Sequence, residues 1–176
     1  MKKYELTDET IDVSGTTLHR IKALKDFGNV KKGELGGYVE SERNLSQEGN
    51  CWVCGNAKVC GDAKVCGNAW VFGNAEVCGN AKVYGNAWVY GNAEVCGNAR
   101  VYGDADYITI KGLGSKYRNT TIFRTKENIA VKCGCFYGTL AEFVDKVKET
   151  HGNSKFAKEY LALIDLVKIH FELEDK

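Results

Sequence analysis

A six-residue repeat dominates the centre of this 176-residue chain. Ten units run without a break from Gly49 to Ile108, and eight of them read Gly-Asn/Asp-Ala-x-Val followed by Cys, Tyr or Phe. Self-similarity at a short fixed period is typical of a solenoid, in which each unit packs against its neighbours. In one unit, Ala81 and Val83 face the same side of a strand and Lys82 faces the other. Because Gly and Asn tolerate positive φ, each unit is predicted to be a short strand followed by a corner.

The variable fourth position shows how many units form one coil. Trp52, Trp70 and Trp88 are eighteen residues apart, which is three units. Two further columns have the same spacing: Lys64, Lys82 and Arg100, and Lys58, Glu76 and Glu94. One coil is therefore predicted to hold three units and to form one turn of a triangular prism, with parallel strands ~4.8 Å apart. Ala and Val would fill the interior, and the three columns would stand on three outer faces.

These units resemble the bacterial hexapeptide-repeat superfamily, whose members form left-handed parallel β-helices. The resemblance covers Gly49 to Ile108 and extends, at the same phase, to residues 37–39 and 44–45. It implies a mainly β fold with 18 residues per coil. Members of the superfamily include acyltransferases, carbonic anhydrases and non-enzymatic scaffolds, often trimeric, so the fold alone does not select a function. This chain resembles the short members that carry additional caps at both ends, which occur in bacteria and their phages.

The non-repetitive flanks suggest three regions: an N-terminal β cap at 1–36, the β-helix at 37–108, and a C-terminal module at 109–176. In the cap, two strands around the turn at Ser14-Gly15 would cover the open end of the solenoid. The C-terminal module is predicted to hold a β-hairpin, from strands at 121–124 and 129–132, and two helices.

The two helices have recognisable start signals. Thr139 and Glu142 have capping-box spacing and predict a helix that ends near Gly152. Ser154 is expected to open a second helix. Its apolar stripe, which we interpret as a packing face, follows helical spacing: Phe156, Tyr160, Leu161, Ile164, Val167 and Phe171.

Composition narrows the function classes. The formal net charge is +1, so the chain lacks the charge excess of a general nucleic-acid binder. The first residues carry no apolar stretch like that of a signal peptide, and no run is long enough to span a membrane. Six of the eight cysteines occupy repeat positions filled elsewhere by Ala, Tyr or Phe, which suggests buried thiols in a reducing compartment. We therefore expect a cytoplasmic protein.

The first face carries an aromatic set that exceeds the apolar patch of an ordinary soluble monomer. Its members are Trp52, Trp70, Phe72, Trp88 and Tyr90. We expect this face to be covered, either by the C-terminal helices or by another copy in a homodimer or homotrimer. Stacking against a carbohydrate or a nucleic-acid base is the alternative.

The second face carries a cysteine column. Cys60, Cys78 and Cys96 would lie in a line rather than at the corners of a tetrahedron, so we predict no metal site there. Disulfides between neighbouring coils would need oxidising conditions. No cofactor is expected.

The third face carries stacked cations. Lys64, Lys82 and Arg100 would repel one another unless an anion or an acidic partner surface lay against them, or unless they splayed into solvent. A second basic group follows the repeats, and segment 112–118 is a candidate backbone cradle for phosphate, although it lacks the Walker spacing. The candidate ligand-binding residues are Lys64, Lys82, Tyr84, Arg100, Tyr102, Lys116, Arg118 and Arg124.

Catalytic signals are sparse. The chain has three histidines, His19, His151 and His170, and none lies within the repeats. No insertion interrupts the repeats, and no nucleophile is paired with a base in the sequence. The prediction is thus a non-enzymatic protein that binds an anionic small molecule or an acidic protein surface, such as a phage-type factor that sequesters a signalling nucleotide or blocks a defence protein. Two alternatives remain: an acyltransferase-like hexapeptide enzyme with a histidine in a cleft between subunits, and a structural module that self-assembles.

Overall fold

The computed structural model describes residues 1–173. Contacts divide the chain into two compact units, the first covering Met1–Asp104 and the second beginning at Ala105. The C-terminal region expected from the sequence ends at residue 176, so its last three residues lie outside the described range. The three boundaries drawn from the sequence stay predictions.

The first unit begins with an antiparallel sheet of three strands. β1 (Tyr4–Val13), β2 (Thr16–Ala23) and β3 (Leu35–Val39) pair in that order. The turn between β1 and β2 has positive φ at Ser14 and Gly15, where the sequence placed it. Strand β3 then pairs in parallel with the coils, so the N-terminal sheet continues directly into one face of the solenoid.

Nine two-residue strands build the coils. They are β4 (Trp52–Val53), β5 (Lys58–Val59), β6 (Lys64–Val65), β7 (Trp70–Val71), β8 (Glu76–Val77), β9 (Lys82–Val83), β10 (Trp88–Val89), β11 (Glu94–Val95) and β12 (Arg100–Val101). They form three parallel faces with the orders β4-β7-β10, β5-β8-β11 and β6-β9-β12.

The register confirms a three-sided coil of eighteen residues. Trp52 lies opposite Trp70, and Trp70 lies opposite Trp88. The repeated Ala and Val side chains are buried in the interior, as their two-residue spacing requires. The mainly β architecture with a solenoid of about four turns is confirmed, whereas the left hand follows from the resemblance and stays a prediction.

Two departures mark the ends of the regular repeat. Val39 pairs with Val59 and Leu45 with Val65, a separation of twenty residues, so the first coil has two extra residues between positions 45 and 53. The tenth unit, 103–108, adds no coil strand: Asp104–Asp106 forms a short 3-10 helix and Tyr107 begins a new sheet. A tyrosine stands where the other units have the interior valine, and so large a ring does not fit the narrow core.

The second unit is an antiparallel sheet with two helices. β13 (Tyr107–Leu113), β14 (Arg118–Arg124), β15 (Ile129–Cys133) and β16 (Phe136–Thr139) pair in chain order. The expected hairpin is the β14–β15 pair, and β13 and β16 extend it on either side into a four-stranded sheet. α1 (Leu140–His151) and α2 (Lys155–His170) follow.

The helix starts agree with their sequence signals. Thr139 and Glu142 form a reciprocal capping box, with the Thr139 amide donating to the Glu142 carboxylate at 2.7 Å. The Ser154 hydroxyl accepts from the Ala157 amide at the start of α2. The apolar stripe of α2 is packing, as expected, because Tyr160, Ile164 and Val167 are buried in the core of this unit. No helix within residues 1–173 is long and apolar enough to cross a membrane.

Candidate functional site

A cavity of about 320 Å³ opens in the second unit. Its lining residues come from the β13–β14 turn, the β15–β16 turn and both helices. They are Ser115, Lys116, Arg118, Cys133, Cys135, Phe136, Phe143, Lys146, Val147, Thr150, His151 and Tyr160. This cavity combines apolar, cationic and proton-exchanging side chains within one concave surface, which is how small-molecule sites are usually built.

Helical spacing places one row of the lining. Phe143, Val147 and His151 are successive i, i+4 positions on α1, and they therefore share one face of that helix. Phe143 and Val147 are buried, while His151 at the last turn is half-buried. A single helix thus presents an apolar wall that ends in an imidazole.

Tyr160 is the residue that α2 contributes to the lining of the cavity. Its ring meets Phe143 edge-on at 5.4 Å between centroids. Its hydroxyl donates to the Leu113 carbonyl at 3.3 Å and lies 3.7 Å from the Cys133 sulfur. Burial, followed by the hydrogen bond with Cys133, raises the pKa of Tyr160 to about 12, so the phenol remains a neutral donor at physiological pH.

Three cations line the cavity. Lys116, Arg118 and Lys146 are exposed, and none of the twelve lining residues carries a carboxylate. Arg118 packs against the β15–β16 turn: a Cβ added at Gly134 would lie 2.5 Å from Arg118 Nη1, so glycine leaves room for the guanidinium. Lys146 also pairs with Glu149 at 2.8 Å, one helical turn away on the surface. The charged residues of the lining are therefore all positive, which suits an anionic ligand.

His151 is the histidine that reaches this cavity. Its ring lies 5.9 Å from Tyr160 and 6.0 Å from Phe156, and within residues 1–173 it makes no hydrogen bond. His19 contacts the Thr7 carbonyl at 3.3 Å, and His170 contacts the Ala105 carbonyl at 2.8 Å. Both of the latter rings are held by backbone, which leaves His151 as the candidate acid–base group.

The ligand-binding residues expected from the sequence separate into different places. Lys116 and Arg118 line the cavity, but Arg124 stands at the opposite end of β14, about 20 Å away for six residues of strand. Arg124 pairs with Asp106 at 3.2 Å and lies over the Phe171 ring at 5.0 Å. The length of β14 therefore separates Arg124 from the two basic residues that line the cavity.

The cation column on the solenoid has the expected register. Lys64 lies opposite Lys82, and Lys82 lies opposite Arg100. Beside them, the rings of Tyr84 and Tyr102 meet edge-on at 4.5 Å. A role for this column in binding stays a prediction.

The N-terminal flank covers one residue of the aromatic face. Trp52 is buried within its own chain, against Tyr4 at 6.3 Å and Phe27 at 5.3 Å between ring centroids. It therefore offers no surface to another subunit, contrary to the expectation for this residue. Repeat spacing does not reveal this contact, because both partners come from the non-repetitive flank.

The rest of that face remains accessible to solvent. Trp88 and Tyr90 are about half exposed, at 52% and 51%. Phe72 stacks on Tyr90 at 5.3 Å and meets Trp88 edge-on at 5.9 Å. Trp70 is partly buried beside them. We call Phe72, Trp88 and Tyr90 the aromatic patch.

The cysteine column forms a chain of thiols. A hydrogen bond with Cys78, followed by burial, raises the pKa of Cys60. The hydrogen bond with Cys60 lowers the pKa of Cys78, but the bond with Cys96 and burial outweigh it, and the net value is about 11. None of the eight cysteines, all within residues 1–173, forms a disulfide, and no group of three metal-ligating side chains occurs in the described part of the chain.

The glycine-containing turn before Arg118 serves an internal partner. The Gly114 amide donates to the Glu159 carboxylate at 3.0 Å. That amide is therefore occupied by an acid of the chain itself, and the phosphate cradle expected for segment 112–118 lacks this donor.

Comparison with known proteins identifies a relative of this chain. A protein of Escherichia coli (strain K12) described as the uncharacterized acetyltransferase YdcK is 39% identical over 61 residues, which cover 30% of this chain and 19% of that protein. No protein-family profile matches the chain. Together with the coils, the match supports a β-helix of the hexapeptide-repeat type that the sequence resembles. Since the aligned part is about a fifth of the relative, any activity of this chain is a proposal.

This relative overturns one expectation. The sequence was interpreted as non-enzymatic because no histidine lies within the repeats, whereas the similar protein is described as an acetyltransferase. That expectation considered only histidines beside the coils. His151 and the cavity belong to the second unit, where residues from four segments meet and no repeat marks them.

Proposed function

We propose that this protein transfers an acetyl group from an anionic thioester carrier, and that the cavity of the second unit holds the reacting groups. The main observation in support of this proposal is that His151, three cations and an apolar wall line one cavity. The similarity to a protein described as an acetyltransferase supports the reaction type.

Each part of the cavity has a role in this reaction. Lys116, Arg118 and Lys146 bind the anionic groups of the carrier. The apolar wall around Phe143 excludes water from the thioester. His151 accepts a proton from the attacking group and returns it to the departing thiolate, which is the general acid–base role that histidine most often fills.

A titration with acetyl-coenzyme A tests the proposal, and two arginines of one strand provide the contrast. Arg118→Ala should weaken binding about tenfold or more, because losing a charged hydrogen bond costs about 1.5–3 kcal/mol. Arg124→Ala should leave the affinity unchanged, since Arg124 is paired with Asp106 away from the cavity. Isothermal titration calorimetry measures both. Equal affinities for the wild type and Arg118→Ala would remove the cavity as the binding site.

A second candidate site is the cation column on the solenoid. Three cations in register favour an anionic ligand or an acidic protein surface there. The double variant Lys82→Glu/Arg100→Glu belongs in the same titration: loss of binding in this variant, with Arg118→Ala unaffected, would move the site to the column. A phage-type factor acting on a defence signal or protein, a self-assembling module and a cytoplasmic location stay predictions.

A further inference from the structure

We propose that Cys135 is the group that receives the acetyl moiety, as a thioester formed inside the cavity. This inference rests on the proposed function and specifies its first chemical step. It concerns a thiol that neither the repeat pattern nor the similar protein points to.

The β15–β16 turn gives two nearby thiols different environments. Cys133 pairs with Phe136 across the turn, which leaves Gly134 and Cys135 at its tip. Cys133 is buried, accepts a hydrogen bond from the Thr120 hydroxyl at 3.2 Å and lies beside the Tyr160 hydroxyl. Cys135 is exposed, and it still lines the cavity. One thiol is thus part of the wall and the other is open to a ligand.

The surroundings of Cys135 are those of a reactive thiol. Lys116, Arg118 and Lys146 line the same cavity, and the Arg118 guanidinium packs against Gly134, the residue before Cys135. Nucleophilic cysteines occur in such electropositive and partly exposed places. The cavity also contains His151, whose ring nitrogens make no hydrogen bond within residues 1–173.

The step is a thioester exchange, and it balances without an oxidant. His151 takes the proton of the Cys135 thiol, and the sulfur attacks the acetyl carbonyl carbon. The carbon–sulfur bond to the carrier breaks as the new one forms, and the carrier leaves as a thiol with the proton from His151. An amine or hydroxyl acceptor then takes the acetyl group and regenerates the Cys135 thiol.

Intact mass spectrometry of the full chain tests this step. After incubation with acetyl-coenzyme A and acid quenching, the wild type should gain one acetyl group of about 42 Da. Peptide mapping should place it on Cys135, and neutral hydroxylamine should remove it, as it does a thioester but not an amide. The adduct should be absent in Cys135→Ala and present in Cys133→Ala. His151→Ala should form it about 100-fold more slowly, the usual contribution of a general base.

The outcomes separate this inference from the function on which it rests. Absence of acetyl-coenzyme A binding to the wild type overturns both. Binding without a hydroxylamine-sensitive adduct, or an adduct that persists in Cys135→Ala, overturns the role of Cys135 alone. An adduct of equal yield on the half-buried thiols of the coils, such as Cys54, or on protein unfolded in urea, shows chemical acetylation and also overturns it.

Discussion

At the scale of single residues, Lys3 is the group whose position departs furthest from its type. Its side chain is fully buried, although lysine is almost never buried without partners. The ammonium donates to the Cys51 carbonyl at 2.9 Å and to the Cys51 sulfur at 3.2 Å, and it lies 5.1 Å from the centre of the Phe27 ring. Lys3 thus binds the carbonyl of a residue at the start of the first regular repeat.

Replacing this lysine should destabilise the first unit. Lys3→Met keeps the length of the side chain but leaves the buried Cys51 carbonyl without this donor, at a cost of about 1–3 kcal/mol in the free energy of unfolding. Lys2→Met is the matched control: Lys2 is 59% exposed, its ion pair with Glu42 is on the surface, and its loss should cost less than about 1 kcal/mol. Urea unfolding at pH 7 measures both. Equal stabilities for the two variants would contradict the role of Lys3.

The same residue predicts a pH dependence. Burial lowers the pKa of Lys3 below its ordinary 10.5, so between the two values the unfolded chain binds more protons than the folded chain. The contribution of Lys3 to stability therefore rises as the pH increases toward 10.5. Burial raises the pKa of Cys51, which has the opposite effect on stability, but the wild type and Lys3→Met both contain this cysteine. The difference in unfolding free energy between wild type and Lys3→Met should consequently grow from pH 7 to pH 10, and a constant difference would contradict this sign.

At the scale of the repeated element, the corners determine how closely the coils stack. The corner glycines between positions 55 and 97 have φ between +62° and +74°, which favours glycine. At Gly79, an added Cβ would lie 3.0 Å from the Gly97 nitrogen in the next coil. Gly91 has the same conformation, with φ of +69°, but an added Cβ there would have no heavy atom within 4 Å. The two positions therefore separate backbone strain from the stacking contact.

Alanine at each corner should measure the two effects. Gly91→Ala should cost about 1–2 kcal/mol for the left-handed conformation alone. Gly79→Ala should cost that amount and about 1–3 kcal/mol more, because its methyl group meets backbone that cannot move aside. Chemical denaturation of each variant gives the difference. Equal losses would show that the coils can separate at the corner without cost.

The coils were predictable because each unit repeats the same local choice. Gly-Asn sets the corner, Ala and Val fill the core, and Trp52, Trp70 and Trp88 reveal the period of three units. The contact between Trp52 and Phe27 was not predictable, because it joins a repeat to a flank that lacks periodicity. Part of the cavity was predictable from the sequence, because the charges of Lys116 and Arg118 singled them out. The order of strands β13–β16 and the placement of the helices bring His151, Cys135 and Tyr160 to the same cavity, and the sequence does not reveal either.

At the scale of the whole molecule, the aromatic patch predicts self-association. Phe72, Trp88 and Tyr90 lie on two neighbouring coils of a rigid face, and the last two remain half exposed. Soluble monomers rarely leave such a contiguous aromatic surface in water, and we expect a second copy of this chain to cover it. Light scattering coupled to size exclusion should give two or three times the chain mass of 19.4 kDa.

Substitutions on two surfaces decide whether this patch is responsible. Trp88→Lys/Tyr90→Lys should reduce the measured mass to that of one chain, because two buried charges without partners would oppose association. Leu166→Lys replaces an apolar side chain that is 53% exposed on α2 and should leave the mass unchanged. The circular dichroism of each variant should match the wild type, since Trp88 and Tyr90 point away from the Ala and Val core. The prediction would be contradicted by a wild type that remains a single chain at every concentration, or by a double variant that still associates.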